Sequence, residues 1–438
     1  MRFCAALVAS VLVCLTTPHS SLLGQEVAAS PATPTLTLAD AEASAIANQP
    51  RLLAAQLRSR ASSQRIRQAR SAYLPMVGFN ATGAIVADSG SSTAAGNITT
   101  SAISNRFAYG GNLAQLVTDF GRTSALVGSA QAVADAQHSM MTLTRAQIRL
   151  NVRVAYYQVL GAEAVLRAAE AAHASRRLIS RQLSALAQSE LRSTLDVNFA
   201  GVLESQAELA VVQAQSVVAQ QRGRLSTAMG SEHLISAKLV EVNEMHMPPA
   251  APEELLAGAQ TQRADLAAAE AQQHAAAEFA LSEKRLSYPS LNVLGTAGQI
   301  PYRDHTLRDS YAAAGFNLNI PIFNGGLFSA RRAEAELEAT ARSWDVQEVK
   351  LQVTEQIRNA WYQTDEAYRS LDVSARLVAQ SKEALRLAQD RYEAGLGSIV
   401  ELNEAQLNET SAEINSADAT YTYLSRHAEL DFAAGLLN

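Results

Sequence analysis

The sequence predicts a mainly α-helical protein with a small β part, written as two similar halves. Residues 327–394 contain neither glycine nor proline, and residues 122–189 contain only Gly128 and Gly161. Apolar residues recur there at spacings of three and four, as in helices that bury one stripe against partner helices. Aromatic residues make up only 5% of the chain. This composition favours extended helices packed through small residues over one large globular core.

The first 24 residues have the organisation of a secretion signal. Arg2 supplies a positive charge, residues 3–15 form an almost unbroken apolar run, and we expect cleavage near Gly24. The alternative is a buried N-terminal helix. Both cysteines of the sequence, Cys4 and Cys14, lie in this segment. The mature chain would therefore have no thiol, no disulfide and no cysteine metal site.

The chain contains an internal repeat. Residues 153–158, with the sequence RVAYYQ, return at 358–363 as RNAWYQ, a shift of 205 positions. The same shift aligns residues 193–200 with residues 398–405, and nearer the start of each half it becomes 214. Matches in one register over such a distance indicate a duplicated unit.

The repeat divides the chain into four predicted parts. These are a signal peptide at 1–24, a first helix–strand repeat at 25–230 with strands at about 76–119, a linker at 231–262, and a second repeat at 263–438 with strands at about 290–323. The linker contains three prolines, and we expect it to fold against the outside of the helices. Each repeat reads as helix, two strands, long helix, short break and helix.

The strand before the second long helix alternates in polarity. Between positions 312 and 320, Phe316 and Leu318 fall on an apolar face, and Asn317 and Asn319 fall on a small or polar face. Such alternation is typical of a membrane β-barrel wall. We therefore expect Phe316 and Leu318 to contact lipid, and Asn317 and Asn319 to face the lumen. Four strands per chain are too few to close a barrel, so several chains must contribute; the alternative is a small sheet on a soluble domain.

Composition and motifs exclude several function classes. The formal charge of -6 argues against nucleic acid as a partner. Histidines without metal-ligand spacing, and the lack of phosphate-binding, dinucleotide-binding and nucleophile-elbow motifs, predict no metal, no cofactor and no enzyme. Six arginines occur between Arg51 and Arg70 without an acid. We expect a solvated helix face that pairs with Glu278 and Glu283 of the equivalent helix.

Three segments carry a resemblance to a known family. Residues 320–326, with the sequence IPIFNGG, join the last strand to the long helix, and residues 115–122 are their degenerate counterpart. Residues 392–395 (YEAG), followed by 399–402 (IVEL), form a helix-to-helix turn. Over essentially the whole mature chain, the sequence resembles the outer membrane efflux protein (TolC) family. The resemblance implies a trimer that joins a long α-helical barrel to a shared twelve-stranded membrane β-barrel, with four strands from each chain.

The same resemblance implies a pore constriction at the inner end of the helices. By position, Tyr392 matches the family's tyrosine, while Glu401, Glu404 and Asp196 match its acidic residues. Rings of carboxylates at a narrow mouth favour cations; the alternative is that these acids simply favour the starts of helices. An arginine that braces the closed state in the family corresponds to Gly397 here, so a bracing link is either lost or replaced.

The resemblance implies the exit duct of a tripartite efflux or type I secretion system, and the duplicated helix–strand pattern agrees with it. It would lie in the cell outer membrane and extend into the periplasm. Substrates would pass passively, driven by an inner-membrane pump or exporter that a periplasmic adaptor connects to the duct. Drugs, metal ions and proteins all remain possible cargo. The alternatives are a soluble periplasmic coiled-coil adaptor and a structural coiled coil without a channel.

Overall fold

The structure is a computed structural model, which describes residues 35–85, 91–93, 100–102, 105–189, 193–242, 247–248, 251–303 and 308–438. The predicted signal peptide, with Cys4 and Cys14, lies outside the described residues. Across the described ranges, no helix combines the length and the hydropathy that a membrane-crossing helix needs.

Helices dominate the described part of the chain. They are α1 Leu38–Asn48, α2 Pro50–Arg70, α3 Arg122–Gln188, α4 Thr194–Ala228, α5 Glu253–Gln262, α6 Ala264–Lys284, α7 Leu327–Glu393 and α8 Ile399–Ala433. The strands are β1 Thr35–Leu36, β2 Met76–Ala84, β3 Ser91–Thr93, β4 Thr100–Ala102, β5 Arg106–Thr118, β6 Lys238–Leu239, β7 Ser290–Tyr302 and β8 Ser310–Asn319.

The two halves match element for element. Helices α3 and α7 each have 67 residues, and α4 and α8 each have 35. Helices α2 and α6 each have 21 residues. Helices α3 and α7 begin 205 positions apart, as do α4 and α8, whereas α2 and α6 begin 214 positions apart. The predicted internal duplication is therefore confirmed.

Helix α3 is the central element, because α2, α4, α6 and α8 all pack against it. In the largest core cluster, Tyr156 of α3 is fully buried. Its hydroxyl lies 2.9 Å from the carbonyl oxygen of Leu36 and 2.7 Å from that of Val240, and it accepts the Val240 N–H at 3.0 Å. One phenol therefore ties α3 to the parallel pair of β1 and β6.

The four longer strands form one antiparallel sheet in the order β2-β5-β7-β8. Phe316 pairs with Val293, and Asn317 pairs with Asn292. Since side chains alternate across a strand, one face is apolar, and the other carries mainly small and polar side chains together with Met76, Leu116 and Leu294. The apolar face includes Val77, Phe79, Leu113, Val293, Phe316 and Leu318, all of which are exposed in the single chain.

Two segments differ in detail from the expected boundaries. Strand β8 ends at Asn319, whereas strands were expected to about 323; Pro321 follows and has no N–H to donate to a ladder. The linker at 231–262 contains helix α5, which packs on α7, and strand β6. Pro252 is the N-cap residue of α5, and two acids occupy its first turn, where they complement the helix dipole.

The expected pairing of the α2 arginines with Glu278 and Glu283 is wrong within one chain. Helix α2 packs along α3, while α6 lies against α3 and α7. Glu283 forms an ion pair with Arg331 at 2.8 Å, and Glu278 lies 4.0 Å from His274 of its own helix. Arg51 donates instead to Gln147 of α3 at 3.1 Å. Helices α2 and α6 are equivalent in the repeat, but they do not pack against each other.

Candidate functional site: the paired helix tips

Two helical hairpins meet at the end of the molecule far from the sheet. One is formed by α3 and α4, and the other by α7 and α8. Their ends share a cluster of buried apolar side chains, which contains Leu183, Ala200, Ala388, Tyr392, Ile399 and Leu402. This cluster brings the first-half and second-half turns into contact, so any movement of one tip must rearrange the packing of the other.

The turn between α7 and α8 is fixed by its backbone. Gly395 has φ +73°, in the left-handed region that favours glycine. The N–H groups of Leu396 and Gly397 both donate to the carbonyl oxygen of Arg391, at 2.8 and 3.0 Å. The side chain of Ser398 then accepts the Glu401 N–H at 3.1 Å, so α8 starts with a side-chain cap.

An ion pair spans this turn. Arg391 Nε lies 3.4 Å from Glu401 Oε1, and both side chains are about half exposed. A Cβ at Gly397 would approach Arg391 Cβ to 3.3 Å and the Tyr392 nitrogen to 3.2 Å, so a larger side chain there would crowd the turn. Arg391 therefore links the two helices in a chain that has no arginine at position 397.

The four predicted constriction residues lie at these tips, in different environments. Glu401 and Glu404 are exposed and share a face at the start of α8. Asp196 is half-buried in the first turn of α4, and its neighbour Val197 packs on the shared cluster. Tyr392 is only 8% exposed and packs among apolar side chains. The structure thus brings all four residues to one end, with the two glutamates at the surface.

A second charged group, which the sequence interpretation missed, lies farther along the α7–α8 hairpin. Lys382 Nζ lies 2.7 Å from Glu413 Oε1, and this hydrogen bond raises the pKa of Lys382. Burial, and then the adjacent charge of Glu413, raise the pKa of Glu409. The pairing follows from hairpin geometry, since Lys382 and Glu413 are nearly equidistant from the turn. That register is the signal that would have found it.

The sheet residues named from sequence lie on opposite faces. Phe316 and Leu318 are 76% and 51% exposed, and Asn317 and Asn319 lie on the other face of β8. Which face contacts lipid stays a prediction. Among the described residues, no group of three or more histidine, cysteine, aspartate or glutamate side chains could hold a metal ion.

Comparison with known proteins agrees with this fold. The family model of the outer membrane efflux protein matches residues 43–231 and 255–436. The chain is 24% identical over 400 residues to the outer membrane protein TolC of Salmonella enteritidis, covering 86% of this chain and 77% of that protein. The outer-membrane channel OprN superposes with a TM-score of 0.78 at 21% identity, covering 91% and 89% of the two chains. The CmeC outer membrane channel of Campylobacter jejuni also gives 0.78, at 18% identity, covering 91% and 85%.

Fold and family match together define an outer-membrane efflux channel. The chain belongs to the outer membrane efflux protein family. The expected family, the mainly α fold with a small β part, and the outer-membrane location are confirmed. The family is one of channels and not of enzymes.

Proposed function

We propose that three copies of the chain form a passive exit duct through the outer membrane. The observation that carries this proposal is the open sheet. Strands β2 and β8 lie at its two edges, and each pairs on one side only within the described residues. In a bilayer every backbone N–H and C=O group needs a partner. Pairing β2 of one copy with β8 of the next satisfies these edges, and three copies close a barrel of twelve strands.

The exposed apolar face of the sheet supports contact with lipid. Phe79, Phe316 and Leu318 are more than half exposed in the single chain. Apolar side chains on one face of alternating strands suit the outer wall of a membrane barrel. Asn317 and Asn319 then line the lumen, and outer-membrane lipid is a partner of the opposite face.

The helix tips form the constriction in this proposal. Threefold symmetry multiplies Glu401, Glu404 and Asp196 into rings of carboxylates around the pore, which favour cations at the narrow end. Tyr392 fills the cluster that holds the two hairpins together. Opening separates these tips and widens the rings. A partner that binds the open arrangement better than the closed one shifts the population toward it.

The duct works with two partners in the proposal, and nucleic acid is not one of them. A periplasmic adaptor grips the helical barrel, and an inner-membrane pump or exporter supplies the energy. Among the described residues no cluster of side chains could hold a metal ion, and the sequence has no phosphate-binding loop. In the proposal, passage through the duct is passive, in an efflux or type I secretion system.

Single-channel conductance in planar bilayers tests the proposal. The mature wild type is compared with Glu401→Ala/Glu404→Ala and with the control Asp365→Ala/Asp372→Ala, whose acids pair with arginines of α7 itself. We expect stable, cation-preferring pores from the wild type. The tip variant should conduct more and prefer cations less, whereas the control should behave like the wild type.

The other outcomes are equally informative. If both double variants form pores with the same conductance and ion preference, the protein is a duct but the tip glutamates do not form its constriction. If correctly folded protein forms no pores at all, the duct is wrong and the soluble periplasmic adaptor becomes the better interpretation.

A further inference from the structure

A recess of about 640 Å³ lies on α3, between the two helices α4 and α8 that pack against it. Its floor is the α3 surface around Val154, Gly161 and Val165, and we call this site the α3 recess. Val217 of α4 lines one wall, and Tyr421 of α8 lines the other. All of these walls belong to one chain. A mainly apolar lining with a few polar groups is typical of sites for small organic molecules.

The aromatic wall of the α3 recess depends on a glycine in its floor. Gly161 is buried, and a Cβ there would lie 3.3 Å from the Cβ atom and 3.4 Å from the Cδ2 atom of Tyr421. The ring of Tyr421 therefore lies close to the bare backbone of α3. Burial raises the pKa of the Tyr421 phenol, so this wall is uncharged at neutral pH.

The internal repeat shows that the apolar floor is particular to the first half of the chain. At the shift of 205 positions, Val154, Gly161 and Val165 are equivalent to polar residues of α7. These residues are Asn359, Glu366 and Ser370. A helix surface that only faced water would need no apolar floor, and the equivalent surface of α7 has none.

The α3 recess lies on the side of α3 opposite to the small parallel sheet. Tyr156 faces that sheet, because its hydroxyl contacts the carbonyl oxygens of Leu36 and Val240. At ~100° per residue, Gln158 and Val165 lie about 160–180° around the helix from Tyr156. In the proposed duct the side that carries β1 and β6 lies outside, since these segments would obstruct the lumen. The α3 recess then opens into the lumen.

The α3 recess carries one uncompensated negative charge. Its charged lining residues are Asp418, Arg426 and Glu429. Arg426 and Glu429 neutralise each other in an ion pair of 2.8 Å. Within the described ranges, no residue forms an ion pair or hydrogen bond with the exposed carboxylate of Asp418. Tyr421 lies three residues farther along α8, so its ring and this carboxylate share one helix face.

We propose that the α3 recess binds an organic cation with a flat aromatic body. The charge of the cation lies beside Asp418, where the ring of Tyr421 adds a cation–π attraction. Its body covers the apolar floor between α4 and α8, which removes both surfaces from water. The inference rests on the proposed function for one point, the opening of the recess into the lumen. Cargo of this class then pauses on the wall of the duct during passage.

Binding of rhodamine 6G, a dye with one positive charge and a flat aromatic body, tests the site. Fluorescence polarisation with the purified protein in nonionic detergent measures the affinity. Asp418→Asn should weaken binding about threefold, the usual effect of losing an exposed ion pair. The control is Glu208→Gln, which removes an equal charge from an exposed position of α4 outside the α3 recess.

The floor is tested by giving α3 the residues of α7. Val154→Asn/Val165→Ser should weaken binding about tenfold, because two apolar contacts with the dye are lost. The control Leu209→Ser/Val212→Asn changes two exposed residues of α4 outside the α3 recess. Circular dichroism verifies that every variant keeps its helix content.

A loss of affinity confined to the two recess variants supports the proposal. Equal affinity of the wild type and both recess variants would overturn it, since the dye would then bind the detergent or another surface. Binding of the anionic dye fluorescein as tightly as rhodamine 6G would also overturn it, because the site would then not select a cation.

Single-channel conductance separates the recess from the duct. Rhodamine 6G should interrupt the current through wild-type pores, and Asp418→Asn should shorten these interruptions about threefold. Uninterrupted current, although the dye binds through Asp418, would overturn the lumenal position of the recess and leave the duct intact. Protein that binds the dye through Asp418 but forms no pores would support the recess and remove the duct.

Discussion

Arg391 Nε lies 3.4 Å from Glu401 Oε1 across the turn that joins α7 to α8. The same guanidinium reaches the Leu396 carbonyl oxygen at 3.5 Å, and the Glu401 N–H is held by Ser398. The last turn of one helix and the first turn of the next are therefore connected by side chains as well as by the chain. The carboxylate of Glu401, which we propose lines the pore mouth, also forms this brace between α7 and α8 with Arg391.

The first prediction concerns this brace. Arg391→Ala should destabilise the α7–α8 turn by ~0.2–1 kcal/mol, because that is the usual contribution of an exposed ion pair. Chemical denaturation measures the change. The matched control is Arg386→Ala, whose partners Glu383 and Asp390 lie on α7 itself; an equal effect of both variants would refute the brace.

The second prediction concerns the buried phenol of Tyr156. Tyr156→Phe should lower stability by roughly 1–3 kcal/mol, because the one hydroxyl hydrogen shared by the Leu36 and Val240 carbonyl oxygens is lost in a buried place. The Val240 N–H keeps the Leu36 carbonyl oxygen as its acceptor, at 3.1 Å. Thermal unfolding followed by circular dichroism measures the change. Tyr362→Phe is the control, since Tyr362 is 60% exposed and should change little. Equal melting temperatures for the two variants would mean that the hydroxyl does not tie the small parallel pair to α3.

The third prediction concerns the junction of β5 with α3. Phe120 has φ +54°, whereas its repeat equivalent is Gly325, with φ +65°. Left-handed backbone costs a non-glycine residue roughly 1–2 kcal/mol. Phe120→Gly should therefore be neutral or stabilising, and Gly325→Ala should destabilise by about 1 kcal/mol.

Gly121 provides a steric comparison at the same junction. It has φ +90°, and a Cβ there would lie 2.8 Å from Arg285 Nη1. Gly121→Ala should therefore cost more than Gly325→Ala, which would meet no neighbouring atom within 4 Å. Chemical denaturation of the three variants checks the order. A Phe120→Gly variant that loses stability would show that the phenyl ring contributes more than its backbone costs.

The fourth prediction is a pH dependence at Glu409. Burial and the charge of Glu413 raise the pKa of this carboxyl above its unfolded value. Protonation therefore favours the folded state, and the stabilising contribution falls as pH rises through the raised pKa. Glu409→Gln should be more stable than the wild type at neutral pH by roughly 0.2–0.5 kcal/mol, the usual size of such a like-charge pair.

The gain should disappear in acid, where the wild-type carboxyl is already protonated. Melting temperatures across a pH series measure this difference. Glu366→Gln, at an exposed position of α7, is the control and should show no such trend. A gain that is constant across the series would assign the effect to side-chain packing instead of titration.

The helices and the duplication could be predicted because their signals are local. Long stretches almost free of glycine and proline predicted helices α3 and α7. A sequence match at a shift of 205 positions predicted that these two helices are equivalent. Helix α5 and the pairing of β1 with β6 were not predicted. Thr35 pairs with Lys238 across about two hundred residues, and two-residue strands carry no usable periodicity. Only tertiary packing around Tyr156 selects that pairing.

The resemblance named Tyr392, Glu401, Glu404 and Asp196, and their role in a constriction stays a prediction. It did not name Arg391 or Lys382. Both act across the α7–α8 hairpin, so finding them required its register. The α2 arginines were assigned to Glu278 and Glu283 because the repeat made those helices equivalent. Equivalence through a repeat does not imply contact within one chain, since α2 packs on α3 whereas α6 packs on both α3 and α7.

The equal lengths of α3 and α7 have a mechanical consequence. At ~1.5 Å per residue, each helix of 67 residues reaches about 100 Å. Both hairpins therefore end at the same depth, and a ring built from them has a level rim. Removing seven residues from α7 and the matching seven from α8 would make every second hairpin of the ring about 10 Å shorter than its neighbours. A docking partner would then meet an uneven rim. The same deletion in α3, α4, α7 and α8 would keep the rim level and only shorten the helical barrel.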